Sequence, residues 1–244
     1  LEKVNLPYGI KRIGVDAFGA CGRLTILDIP SSVESIGEMA FANSALKKLD
    51  LRKNRITEVS NRLVYGCWQL SEIYLPETVV IIGDEAFAFI PVTSIVLPSA
   101  LQQIGMNPFR YCNRLQSLSF SSPSERFSIV YPFLLDMETD SAICCVGQAS
   151  GSIEVPAIRA IGDYCCTGCE QITNIVIPDT VSYIGKEAFS FCINLETVRI
   201  GKTKNLEIRD CAFEECYNLS LFSVEGDVIS IGQDAFREPV KKSL

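Results

Sequence analysis

An isoleucine, usually followed by glycine, recurs along this chain at almost fixed spacing. It falls at Ile13, Ile36, Val59 (a variant), Ile82, Ile104, Ile161, Ile184, Ile208 and Ile231. Successive gaps are 23, 23, 23, 22, 57, 23, 24 and 23 residues. A unit this short cannot enclose a core of its own. It buries its apolar face only by stacking on the next unit, so the chain must fold as a solenoid. The single long gap marks an insertion, placed over 121–152.

The stretch Ile172–Asn194, ITNIVIPDTVSYIGKEAFSFCIN, shows the repeat most clearly. Ile175 and Ile177 are two apart, the period of a strand with one buried face. Strands from successive turns then lie side by side as a parallel sheet. Pro178 ends the strand because it brings no N–H to the ladder. Gly185 allows a tight bend or a close approach between turns. Phe189 belongs to a column with Phe18, Phe41, Phe87, Phe109, Phe213 and Phe236. The Ala-Phe-x-x-Cys segment is expected to form a short helical or 3-10 turn on the far side.

Departures from the repeat come in pairs. Turns Leu24–Ala45 and Leu70–Pro91 lack the cysteine and have one residue fewer before the next strand. Turns Leu46–Gln69 and Leu195–Asn218 lose proline and glycine together (Arg52 and Ser60; Gly201 and Arg209) and gain one connector residue. Such coupled changes predict one alternative connector conformation. Within the insertion, Phe133–Asp136 and Ala142–Val146 read as a β-hairpin around Met137–Ser141. A polar tail after the last turn, Leu219–Val240, is expected to cap the core. The whole of 1–244 reads as one domain of about nine repeats.

The chain has 22 basic and 29 acidic side chains, a net charge of −7, which disfavours nucleic acid or anionic lipid as partner. No apolar run is long enough to span a membrane. Histidine is absent, which removes Ser-His and Cys-His catalysis and any His-ligated metal. No glycine-rich phosphate loop or paired-carboxylate motif is present, so neither an enzyme nor a cofactor is expected. No signal peptide is visible, and Leu1 lies within a repeat, as in a fragment of a longer protein.

The repeated strand-proline unit, with I-G-x-x-A-F-x-x-C on the return, resembles the BspA-type leucine-rich repeat family. The resemblance covers nearly the whole chain outside the insertion. It implies an α/β repeat solenoid: a right-handed superhelix with a parallel sheet on the concave face, short helical or 3-10 turns on the convex side, and one inserted β-hairpin. It further implies an extracellular or cell-surface bacterial protein that adheres to a protein or glycoprotein, for instance host extracellular matrix. The family supplies no catalytic motif.

Six of the eleven cysteines occupy the repeat slot: Cys21, Cys67, Cys112, Cys169, Cys192 and Cys216. A column of small, buried, free thiols accounts for them. Cys144 and Cys145 of the hairpin, with Cys165 and Cys166, leave open a disulfide or a thiolate metal site.

On the strand face, outward positions form two rows. From them the candidate binding residues are Asp28, Lys48, Asp50, Glu72, Tyr74, Val96, Val176 and Arg199. Tyr74 flanked by carboxylates, and exposed Val96 and Val176, suit an interface. Lys47, Lys48, Arg52, Lys53, Arg55 and Arg62 form a basic stretch that reads either as an attractor of acidic partners or as a solvated loop. Trp68, the sole tryptophan, reads either as a contact or as a loop anchor. The expected function is non-enzymatic recognition or adhesion. The alternatives are a spacer without its own ligand, or a metal or redox site at the hairpin cysteines.

Overall fold

The computed structural model describes residues 2–146 and 149–237. Leu1 and the tail expected to cap the last turn lie outside them. The chain divides into two compact units, Leu1–Phe127 and Ser128–Leu244. Both are parallel β-solenoids of stacked coils.

In the first unit each coil contributes two strands. They are β1 (Lys3–Asn5), β2 (Arg12–Ile13), β3 (Ile26–Asp28), β4 (Ser35–Ile36), β5 (Lys48–Asp50), β6 (Glu58–Val59), β7 (Glu72–Tyr74), β8 (Ile81–Ile82), β9 (Ser94–Leu97), β10 (Gln103–Ile104) and β11 (Ser117–Phe120). The longer strands pair in parallel as β1-β3, β5-β7 and β9-β11. The Ile-Gly positions form a second parallel sheet, in two pieces, β2-β4 and β6-β8-β10. Two-residue strands are too short to show an alternating pattern, so the sequence displayed this sheet only as a spacing.

The hairpin region opens with β12 (Phe127–Val130), followed by β13 (Phe133–Asp136) and β14 (Ser141–Cys145). In the second unit, β13 and β14 pair antiparallel, as expected for a hairpin. β14 then pairs in parallel with β16, so the hairpin supplies the first strand of the Ile-Gly sheet. The remaining strands are β15 (Gly151–Glu154), β16 (Ala160–Ile161), β17 (Ile172–Ile177), β18 (Tyr183–Ile184), β19 (Thr197–Ile200), β20 (Leu206–Ile208), β21 (Leu221–Val224) and β22 (Val228–Ile231). Here the strand face is one continuous sheet, β15-β17-β19-β21.

The glycines mark close approaches. A β-carbon on Gly185 would stand 2.5 Å from the Asp163 nitrogen of the preceding coil, and one on Gly83 would stand 2.6 Å from that of Asn61. Aromatic rings stack behind them, Phe18 on Phe41 and Phe87 on Phe109 in one unit, Phe189 on Phe213 and Phe213 on Phe236 in the other. Phe41, Phe87 and Phe189 are fully buried.

The expected helical or 3-10 turns are not formed; the described residues contain no helix. The amides of Glu187, Phe189 and Phe191 donate to the carbonyls of Asp210, Ala212 and Glu214 on the next coil, at 3.0, 2.8 and 2.9 Å. Alternate N–H groups are thus used between coils, as in a strand, and cannot serve a helix. The amides between them close tight turns, with Ser190 donating to Glu187. Glu187 and Phe191 adopt left-handed φ values of 51° and 58°, which a right-handed helix excludes.

The paired connector changes do encode one device. Asn54 is buried and donates from Nδ2 to the carbonyls of Pro30 and Val33 on the preceding coil, at 2.8 and 3.2 Å. Thr203, at the equivalent place in the other long connector, is buried and donates to the Val181 carbonyl. The extra residue turns a polar side chain inward to satisfy backbone oxygens of the neighbouring coil.

Candidate functional site on the strand face

The outward rows are in register. Asn5 faces Asp28, Lys48 faces Glu72, Asp50 faces Tyr74, Val96 faces Ser119, and Val176 faces Arg199. In the first unit the cross-strand match brings five side chains together. Lys48 Nζ lies 3.4 Å from Glu72 Oε2, and the Tyr74 hydroxyl donates to the same carboxylate at 3.1 Å. Arg52 donates from Nε to Asp50 Oδ1 at 2.9 Å. Its guanidinium sits 4.3 Å from the Tyr74 ring centroid, with Lys48 Nζ at 5.0 Å. Tyr74 therefore has two cations near its ring, each held by a carboxylate. The Arg52 hydrogen bond pulls the Asp50 carboxyl down to about 2 despite partial desolvation.

This cluster borders a groove. The strand ladder stops between β3 and β5, and a hollow of ≈ 610 Å³ opens there, lined by Ile26, Asp28, Lys47, Lys48, Asp50 and Lys53, with Thr25, Leu27 and Ile29. The break coincides with the shortened turn Leu24–Ala45. In that turn the Ala45 amide donates back to the Cys21 carbonyl, at 3.3 Å. Ion pairing occupies Lys48 and Arg52, whereas Lys47 and Lys53 are exposed and form no ion pair among the described residues. Lys47, Lys48 and Lys53 against Asp28 and Asp50 make the lining mildly basic, and Ile26 and Leu27 contribute apolar surface to it.

The structure thus brings together Asp28, Lys48, Asp50, Glu72 and Tyr74. Val96 lies on β9 of the same unit, 54% exposed, beyond a second break in the ladder. Val176 and Arg199 are exposed neighbours on the second unit's sheet. The sequence reading missed Arg52 as a partner of Tyr74. The available signal was a basic residue two positions after Asp50, in a slot where other turns carry proline.

The second unit carries a hollow of ≈ 630 Å³ on its Ile-Gly sheet, lined by Arg159, Tyr183, Lys204 and Glu207 among others. None of the sequence-predicted residues lines it.

All eleven cysteines are free thiols. Four of the six in the repeat slot share a recurring kind of partner. Cys67, Cys112, Cys192 and Cys216 donate from Sγ to the carbonyls of Phe41, Phe87, Cys166 and Phe189, at 2.9, 3.0, 3.2 and 3.1 Å. Each thiol satisfies an oxygen in the aromatic slot of the preceding coil, which explains a cysteine where an alanine would also pack. Burial pushes the Cys112 and Cys216 thiols up to about 12. Cys144, Cys145, Cys165 and Cys166 are buried as well, and no group among the described residues is arranged to hold a metal ion.

Coils with a strand, a close-approach glycine and a thiol-bonded return define a leucine-rich-repeat solenoid. The chain matches the BspA-type leucine-rich repeat region over residues 1–122 and 149–242, in six copies, and belongs to that family. No curated protein matches. Among solved structures, the fold is similar to a leucine-rich repeat protein from Eubacterium ventriosum, at TM-score 0.69 and 17% identity, covering 100% of this chain and 85% of that one. It is also similar to the pneumococcal vaccine antigen PcpA, at TM-score 0.67 and 18% identity, covering 98% and 72%. A leucine-rich cell surface protein from Faecalibacterium prausnitzii matches at TM-score 0.61 and 19% identity, covering 89% and 77%. At these identities the likeness concerns the fold.

Proposed function

We propose that this chain is a non-enzymatic recognition or adhesion segment of a bacterial cell-surface or secreted protein. Its partner is a protein or glycoprotein, engaged through the strand face. The observation that carries this reading is the Tyr74 cluster at the edge of the β3–β5 groove. An aromatic ring beside paired charges, next to a groove with apolar lining residues, has the composition of an interface centre. Membership of a repeat family with solved relatives named as a cell surface protein and a vaccine antigen supports the surface location.

The test is binding to immobilised extracellular-matrix proteins and cell-surface glycoproteins, wild type beside Tyr74→Ala/Glu72→Ala. The reading predicts at least a tenfold loss of affinity in a variant whose thermal unfolding is unchanged. Equal binding by both proteins would remove this face from consideration.

A further inference from the structure

The aromatic column of the second unit begins with sulfur. In this unit the amide of an aromatic slot donates to the carbonyl of the alanine slot on the next coil, as Phe189 does to Ala212 at 2.8 Å and Phe213 to Ala235 at 2.7 Å. The Cys145 amide makes the same bond to Cys165, and the Cys166 amide to Ala188, both at 2.7 Å. Cys145, at the end of β14, therefore fills the aromatic slot of the hairpin coil, and Cys166 fills it in the next. Two consecutive members of the column are thiols, where the following coils stack rings. Cys165 takes the alanine slot beside them, with its Sγ 3.9 Å from that of Cys166.

Cys169 completes the group. It sits in the repeat slot, from which Cys192 and Cys216 donate to the carbonyl of the aromatic slot on the preceding coil. For Cys169 that preceding slot is held by Cys145, so the repeat geometry brings the two sulfurs together. Cys169 has the Cys145 and Cys166 thiols as its hydrogen-bond partners in place of a carbonyl. All three are buried. Packing alone does not ask for this arrangement, since alanine and phenylalanine fill the slots of Cys165 and Cys166 in the next coil as Ala188 and Phe189, both fully buried. Adjacent strands lie about 4.8 Å apart, within the span of roughly 4.4–6.8 Å between Cα atoms that a disulfide bridges.

We propose that Cys145 and Cys169 are a redox-active pair that closes to a disulfide, fastening the inserted hairpin to the first full coil that follows it. The oxidant is a hydroperoxide, small enough to reach a buried sulfur. Cys169 is the nucleophile. Hydrogen bonds from the Cys145 and Cys166 thiols hold it well below the usual thiol range against the cost of burial, whereas burial pushes Cys166 well above that range. The Cys169 thiolate attacks one peroxide oxygen, the O–O bond breaks, hydroxide leaves, and Cys169 becomes a sulfenic acid. The Cys145 sulfur then attacks Cys169 Sγ. The S–O bond breaks, and the oxygen leaves as water with the Cys145 proton. Two thiols and one hydrogen peroxide give one disulfide and two waters.

For the test, the whole chain is fully reduced, treated with a small excess of hydrogen peroxide under native conditions, then denatured and alkylated. Titration should find two fewer thiols than the eleven of the reduced chain, and peptide mass spectrometry should show Cys145 linked to Cys169. The thermal transition should rise by about 5 °C or more, and dithiothreitol should reverse both changes. Cys112→Ser, which alters a buried thiol of the first unit, should form the same link. Cys145→Ser should keep all its remaining thiols under the same treatment. The link is read in the wild-type protein, so the test does not depend on how well Cys145→Ser folds. Eleven thiols after treatment would overturn the proposal, as would a link between any other pair, or sulfinic acid at Cys169 without a link.

Discussion

The two units use one repeat yet build different strand faces. In the second, four strands run as one sheet, β15-β17-β19-β21; in the first, the same face breaks into three pairs. The breaks follow Leu24–Ala45 and Leu70–Pro91, the two turns with a shortened return loop. Deleting one loop residue is a small change to a coil, because the core slots are kept: Phe41 and Phe87 remain fully buried. It alters how the chain enters the following strand, and the ladder does not continue. A solenoid can thus open a groove on its sheet without disturbing its core. The first unit has used this beside Tyr74.

The comparison predicts first that the aromatic columns of both units carry similar weight. Phe189→Ala and Phe87→Ala each remove a fully buried ring stacked on a neighbour, and each should cost about 3–5 kcal/mol by denaturant unfolding. A loss in one unit several times that in the other would mean that the ladder breaks weaken the core after all.

A smaller effect is expected at the polar plugs, one in each unit. Asn54→Ala leaves the Pro30 and Val33 carbonyls without their side-chain donor in a buried place, and Thr203→Val does the same to Val181. Each should cost about 1–3 kcal/mol. Asn54 serves two carbonyls and Thr203 one, so the first-unit variant should suffer more. Equal or reversed losses would show that the connector backbone holds its shape unaided.

Much of this architecture was legible because it rests on periodicity. Core slots, outward rows and strand register follow from spacing, and Lys48 opposite Glu72 or Asp50 opposite Tyr74 could be placed by counting. The return side was not legible in the same way. Ala-Phe-x-x-Cys has a helix-like spacing, and only the backbone reveals that alternate amides bond the next coil while Glu187 and Phe191 turn left-handed. The candidate site was half visible for a related reason. Row positions are periodic, whereas Arg52 reaches Tyr74 from a slot defined by a lost proline. The β3–β5 groove is the product of a missing residue. Hairpin residues Phe133–Asp136 were visible as a strand, but β14 joining the Ile-Gly sheet depends on tertiary pairing.

The shortened loop can be tested by restoring it. Inserting one glycine after Ser44 returns that turn to the common length. If loop length alone breaks the ladder, amide exchange in β3 and β5 should slow by about tenfold or more, as new strand hydrogen bonds form across the former groove. Unchanged exchange would place the cause of the break in the side chains around Ile26 and Lys47.

The mildest probe reads the electrostatics beside the groove. The Asp50 carboxyl titrates at about 2, below its ordinary value of 3.8, chiefly through its hydrogen bond to Arg52. A depressed carboxylate contributes stability that is present above the unfolded value and lost as pH falls through the folded one. That contribution should therefore fade between about pH 4 and pH 2, and it should be small because the pair is exposed to solvent. Carboxyl NMR should show Asp50 titrating near 2 in the wild type and closer to 3.8 in Arg52→Gln, with Tyr74 ring resonances shifting as the guanidinium leaves. If Asp50 stayed low without Arg52, Lys48 would be its principal partner, and the cluster would be organised across the strands rather than along β5 and the residues that follow it.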